Sequence, residues 1–329
     1  MRTSRALWPW VCGVLALAVV ALLAIAFGAV SLPLGTVVAA LLGDGQAADV
    51  SIVRELRLPR VVLSAIVGAG LAMSGGALQG TLRNPLAEPY LLGVSGGAAV
   101  GAVTAMALGV VSPAVITACA FGGAAAATLL VTALARIVGG SGDTRLLLMA
   151  GVVVGAFANA AILVALADAP PERLRGALWW MMGSAADASW GAVARAGGAL
   201  ALLGSILVWR ARDLDVLALG SEPAAALGVD VERASRTIFL VASWLAAATV
   251  AAAGLVGFVG LVLPNLARAL GARQHRAVLL LSALYGAALL VAADLLARTV
   301  RAPVELPLGA VTALVGVPFF LSQLRKVAP

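Results

Sequence analysis

Charge is what this 329-residue sequence has least of: Asp, Glu, Lys and Arg together make up 11%, against about 25% in ordinary soluble domains. Such a chain cannot cover a water-facing surface, which excludes a soluble globular protein and a disordered chain. Lysine is nearly missing, with Lys326 its single occurrence. The phosphate-cradling motif G-x-x-x-x-G-K-[ST] therefore cannot exist here, and if ATP powers this protein another chain binds it. Histidine occurs once, at His275, and cysteine twice, at Cys12 and Cys119, which leaves no disulfide framework and no Cys/His metal motif. Both cysteines sit inside apolar runs and read as small hydrophobes. His275 stands in the short polar break Arg273-Gln274-His275-Arg276 with no carboxylate or cysteine beside it, so it is expected to be a solvated loop residue. No catalytic set is present and no enzyme is expected. The net charge of +7 does not point to nucleic acid, because the basic residues stand singly between apolar runs rather than on one face.

What is abundant is apolar sequence, at 62%. A hydrocarbon core of ~30 Å needs about 20 such residues in a helix. Apolar stretches between polar breaks give ten candidate spans: 10–30, 61–82, 91–111, 114–135, 146–167, 190–209, 237–256, 255–270, 277–297 and 307–324. The runs do not alternate with polar residues, so they are helices rather than barrel strands. The expected fold is an all-α polytopic membrane protein in which 1–329 is a single transmembrane domain. The first run exceeds a ~7–15-residue signal-peptide core, so it reads as a retained span. With the N-terminus inside, fourteen basic residues fall in inner segments and seven in outer ones, with Arg195 within a span. That bias places both termini in the cytoplasm. Three connections exceed a bare turn: 31–60 and 168–189 outside, and 210–236 inside.

Few side chains within the spans can carry chemistry. Asp294 and Arg298, four apart, fall where they can pair on one helix face. Arg195 can snorkel, and the other mid-span polar groups, such as Gln79 and Asn159, are neutral. A proton-coupled carrier usually needs ionisable groups at mid-membrane, so a charge relay is not expected. The spacings Gly76–Gly80, Gly93–Gly97–Gly101 and Gly151–Gly155 are G-x-x-x-G seams that let helices approach closely. Arg83-Asn84-Pro85-Leu86-Ala87-Glu88-Pro89-Tyr90, with two prolines four apart, breaks the helix at an inner turn.

An ordered string of motifs carries a resemblance: Arg57-Leu58-Pro59-Arg60, Gly68-Ala69-Gly70-Leu71-Ala72-Met73-Ser74-Gly75, Gln79-Gly80, Arg83-Asn84-Pro85-Leu86-Ala87-Glu88-Pro89 and Leu92-Gly93-Val94-Ser95-Gly96-Gly97. The second half adds Gly257-Phe258-Val259-Gly260-Leu261-Val262-Leu263-Pro264, Ala293-Asp294-Leu295-Leu296-Ala297-Arg298 and Glu305-Leu306-Pro307-Leu308-Gly309. Over roughly 54–324 the chain resembles the FecCD family of permeases, the membrane subunits of type II ATP-binding-cassette importers for ferric siderophores, heme and cobalamin. The resemblance implies ten helices per subunit, a homodimer enclosing the pathway, two ATPase subunits below and a periplasmic binding protein above, in the inner membrane. It implies that no cofactor is bound by this chain, ATP and Mg belonging to the ATPase partners. By the same resemblance Arg57, Arg60 and Arg298 are outward forks that dock the binding protein. The segment 210–236 becomes the coupling loop, with Ser221, Glu222, Ala225, Leu227 and Gly228 in its inserting helix, Ser221 as N-cap and Gly228 as stop. Asn84, Leu86, Asp143 and Thr144 fall at the cytoplasmic gate, although Asp143 is not the small hydroxyl residue expected there. Asn265 stands where the family commonly has His, and it cannot titrate. The rival reading is a partner-independent secondary carrier or channel for a small solute.

Overall fold

The structure, a computed structural model, describes residues 4–28, 30–139 and 144–327. These form fifteen α-helices and, among the described residues, no strand. In chain order they are α1 (Ser4–Ala26), α2 (Leu34–Leu42), α3 (Ala47–Ser51), α4 (Leu58–Thr81), α5 (Val94–Ala107), α6 (Pro113–Gly139), α7 (Thr144–Leu166) and α8 (Pro171–Met182). Then follow α9 (Trp190–Trp209), α10 (Ala211–Leu217), α11 (Ser221–Ala226), α12 (Val231–Ala253), α13 (Val259–Ala269), α14 (His275–Thr299) and α15 (Leu308–Val327). Ten of them stand where the ten spans are expected. Among the described residues α1, α4, α6, α7, α9, α12 and α14 are long and apolar enough to cross a membrane, and the shorter apolar helices α5, α13 and α15 fill the other three places.

The segment 31–60 is not the plain loop expected. Helix α3 runs through a π-helical turn, Ile52–Arg57, directly into α4. The reason is Pro59. A proline one turn into a continuing helix clashes with the carbonyl four residues earlier, and the wider π turn relieves that clash. Arg54, Arg57 and Arg60 are thereby mounted on a helix rather than on a loop.

Helix α4 is the axis of the molecule. From Val67 to Thr81 every residue is buried, with α14, α12, α13 and α9 packed around it. Glycine makes this approach physically feasible: a Cβ on Gly68 would lie 2.1 Å from the carbonyl oxygen of Gly286 in α14, and one on Gly75 would lie 2.0 Å from that of Gly260 in α13. In lipid such contacts hold helices together by close packing, since no hydrophobic force separates side chains from the surrounding tails. A second layer, α5 with α6 and α7, packs outside α12, while α1 leans on α14. Among the seams read from sequence, Gly97 and Gly101 do face a neighbour, the backbones of Gly123 and Cys119 respectively, whereas Gly155 faces open space.

The two adjoining runs expected as separate spans, 237–256 and 255–270, are separated at 254–258. Gly254 and Phe258 both have positive φ, +72° and +68°, and Phe258 precedes the first turn of α13. The Phe258 N–H donates to Glu88 Oε1 at 2.8 Å, so the break is held by a carboxylate from the connection between α4 and α5. α4 runs from an end marked by Arg60 to an end marked by Arg83, and the two ends of the bundle are named accordingly below.

Candidate functional site

At the Arg60 end three arginines and two carboxylates gather, and two of the arginines pair with the carboxylates. Arg60, on the first turn of α4, donates from Nη2 to Asp294 Oδ1 at 2.8 Å and from Nη1 to Glu305 Oε1 at 2.7 Å. Asp294, on α14, is 1% exposed, and Arg298 one turn later sits 3.5 Å from its Oδ2, the pairing expected from their spacing. Arg298 also donates to the carbonyl of Ala24. Arg57 donates to the carbonyls of Ile25 at 2.6 Å and Ala26 at 2.8 Å, and to that of Val30. Those of Ala24, Ile25 and Ala26 are among the last carbonyls of α1, which have no partner within their own helix, and cations are favoured at that negative dipole end. Gly28 leaves the space: a Cβ there would lie 3.2 Å from Arg57 Nη2 and 3.5 Å from Arg298 Nη1.

The arrangement differs from the outward forks expected. Arg57 and Arg298 are each 7% exposed and point inward, because unsatisfied carbonyls at the edge of a bilayer need donors more than the solvent does. Arg60 is clasped rather than free. The cluster still holds three cations against two carboxylates, an excess of one positive charge. Glu305 is its most accessible member, on the connection before α15, and Arg60's hydrogen bonds hold its carboxyl below the usual carboxylate range.

At the Arg83 end the segment 210–236, expected as the coupling loop, forms α10 and α11. Gly220, with φ +115°, precedes α11 and Ser221 is its first helical residue, so Ser221 is not the N-cap. Its hydroxyl instead accepts from Arg83 Nη2 at 2.9 Å, tying α11 to the turn after α4. Gly228 does act as the stop. At φ +84° it donates to Ala225 O at 2.9 Å while Val229 N donates to Ala224 O at 3.1 Å, the paired bonds of a Schellman ending. Glu222, Ala225, Leu227 and Gly228 are exposed around it.

The expected gate residues are partly placed. Asn84 Oδ1 accepts from Leu86 N at 2.9 Å, an Asx turn that presents Leu86 to the surface at 45% exposure. Thr144 opens α7. Asp143 lies outside the described residues. Asn265 donates to the carbonyls of Pro85 at 3.2 Å and Leu261 at 2.9 Å. Arg268 spans the same seam, donating to Gln79 Oε1 at 2.7 Å and Asn265 Oδ1 at 3.2 Å. The Asn84-Pro85-Leu86 turn is thus tethered to α13 through Asn265.

His275 is not a solvated loop residue. Its Nδ1 lies 2.7 Å from Asp215 Oδ1, and its backbone N–H donates to the same oxygen at 2.8 Å. Asp215, from α10, caps the N-terminus of α14. Gly80 leaves room for the ring, since a Cβ there would lie 2.9 Å from Nε2. Sixty residues separate Asp215 from His275, so proximity along the chain carried no trace of the pair.

The chain matches the model of the FecCD transport family over residues 16–326. It is 44% identical over 274 residues to the cobalamin import system permease protein BtuC of Halobacterium salinarum, covering 83% of this chain and 73% of that protein. It is 40% identical over 274 residues to the hemin transport system permease protein HmuU of Yersinia pestis, covering 81% of each. Among solved structures it superposes with a TM-score of 0.86, at 28% identity, on one described as an inward-facing metal-chelate type ABC transporter, covering 95% of this chain and 97% of that one.

Proposed function

The chain belongs to the FecCD transport family, and from that premise we propose that it is the membrane-spanning permease subunit of an ATP-driven importer for a bulky metal chelate of the ferric siderophore, heme or cobalamin class. It works as a homodimer in the inner membrane with two ATPase subunits and a periplasmic binding protein. The Arg83 end faces the cytoplasm, with both termini, by the positive-inside bias. The metal belongs to the cargo and is already ligated by its chelator, so the permease needs no metal ligands of its own.

The observation that carries this reading is the surface at the Arg83 end. Leu219, Leu227 and Leu86 are 62%, 63% and 45% exposed there, beside the charged residues Arg83, Glu222 and Arg233. Apolar side chains standing out among charged ones, beyond the bilayer, mark a protein contact. α11 is the piece that enters an ATPase subunit, with Ser221, Glu222, Ala225, Leu227 and Gly228 in contact. Its bond to Arg83 carries motion to the Asn84–Leu86 turn, which with Asp143 and Thr144 forms the gate. At the opposite end, Arg60 reaches the binding protein by exchange: an incoming carboxylate replaces Glu305, while Arg57 and Arg298 hold the helix ends in place beneath it. The surplus positive charge of the cluster favours that partner.

The test is reconstitution in vesicles. With the ATPase subunits, the binding protein and ATP, a ferric siderophore, heme or cobalamin accumulates inside; with the permease alone, none does. Concentrative accumulation by the lone polypeptide would overturn the importer reading in favour of a secondary carrier.

A further inference from the structure

Two opposite charges remain unused by this reading, and they border the same cavity. Arg195 is the only charged residue of α9, and Asp187 lies three residues before that helix begins. Among the described residues neither side chain has a hydrogen-bond or ion-pair partner. Both line a cavity of about 830 Å³ between α6, α9 and α12, beneath the connection that follows α8. Its volume falls in the range of about 300–1,000 Å³ typical of small-molecule sites, far above the water-sized voids of packed interiors.

The lining is rich in alanine, with Ala192, Ala196, Ala199, Ala248, Ala251 and Ala252 among it. Its charged members are Asp187, Arg195 and Glu305, the last already held by Arg60. The Arg195 guanidinium is turned back along the helix toward the Arg60 end: a Cβ on Gly191 would lie 3.4 Å from its Nη1. Trp179 and Trp190 stand half-exposed at the same level, as aromatic side chains do at the headgroup boundary. An unpaired guanidinium inside a spanning helix is costly, and its planar fork takes a phosphate bidentately, the anion that a lipid headgroup brings to this level.

We propose that this cavity holds one phosphatidylethanolamine molecule, its phosphate on Arg195, its ammonium donating to Asp187 and one acyl chain along the alanine-lined floor. The proposal is independent of cargo and of ATP, so its failure leaves the importer reading standing.

Native mass spectrometry of the purified, partly delipidated protein offered equimolar phosphatidylethanolamine, phosphatidylcholine and phosphatidylglycerol tests it. One retained phosphatidylethanolamine per chain is expected. Arg195→Gln should lower that retention about tenfold or more, the scale of a lost charge-assisted hydrogen bond. Asp187→Asn should bring phosphatidylethanolamine down to the level of phosphatidylcholine, which offers no N–H donor. Ala118→Phe, on the exposed face of α6, fills the cavity and should expel the lipid with both charges intact. Equal retention of the three lipids by the unaltered protein would overturn the proposal, as would unchanged retention in Arg195→Gln. A change in the number of chains per particle in Arg195→Gln, with lipid retention unaltered, would assign the cavity to a second copy of the chain instead.

Discussion

Asp294 is the residue on which the Arg60 end turns. It is buried and answers two guanidiniums, Arg60 at 2.8 Å and Arg298 at 3.5 Å. Removing one partner of a buried ion pair leaves an uncompensated charge and costs about 3–5 kcal/mol. Asp294→Ala should therefore lower the melting temperature in detergent markedly, while Arg301→Ala, an exposed neighbour, should leave it unchanged. Glu305 behaves differently because it is accessible. If it competes with the binding protein for Arg60, Glu305→Gln should strengthen docking several-fold in a binding titration, most at low salt. Its folded pKa is depressed, so the ion pair's contribution is full above the ordinary Glu value of about 4.3 and is lost only as pH falls through the lower folded value. Thermal stability compared with that of Glu305→Gln should then show a constant difference from neutral pH down to about pH 5. Of these contacts, sequence disclosed Asp294 with Arg298 because helical spacing places them on one face. Arg60 with Asp294 spans 234 residues, which no local periodicity can report.

Helix ends carry the next level of argument. Gly228 closes α11 in a left-handed conformation, where a β-branched side chain is strained. Gly228→Val should distort the surface offered to the ATPase: transport and stimulated ATP hydrolysis fall away while the melting temperature and the assembly of the permease itself change little. The opposite pattern, loss of assembly with coupling intact per remaining complex, would refute a coupling role. Asp215 offers a second test at this scale. It caps α14 from a different helix, and losing a cap costs about 0.5–2 kcal/mol. α14 spans ~37 Å at 1.5 Å per residue, with His275 at one end and the Asp294 cluster at the other. Asp215→Ala should thus lower stability modestly and, in the assembled importer, weaken the stimulation of ATP hydrolysis by the binding protein more than it weakens basal hydrolysis. Glycines at the axis are less forgiving. Gly68→Leu would drive a side chain into the Gly286 backbone, and the folded yield should collapse, because the two nearest atoms are the backbone C and O of Gly286 and cannot rotate away.

Taken whole, the molecule is an alternating bundle whose direction in the membrane rests on fourteen basic residues against seven. Fluorescent-protein and alkaline-phosphatase fusions at the C-terminus check that orientation: fluorescence with no phosphatase activity is expected, and the reverse would invert the topology. The places and order of the ten apolar helices were legible from apolar run length, and the packing at Gly97 and Gly101 from glycine spacing, since a lipid solvent leaves so little choice of backbone; the tighter seams at Gly68 and Gly75 were not. The stop at Gly228 was equally legible, because only a residue free to take positive φ closes a helix that way. What tertiary structure alone decided is where polar groups find partners. It turned Arg57 and Arg298 inward onto the end of α1, gave His275 an aspartate from another helix, and set Glu88 against the break at Phe258. The reason is common to all of them: in a bundle that excludes water, a polar group must be answered by whichever partner packing brings near, and packing is a property of the folded chain rather than of any stretch of it.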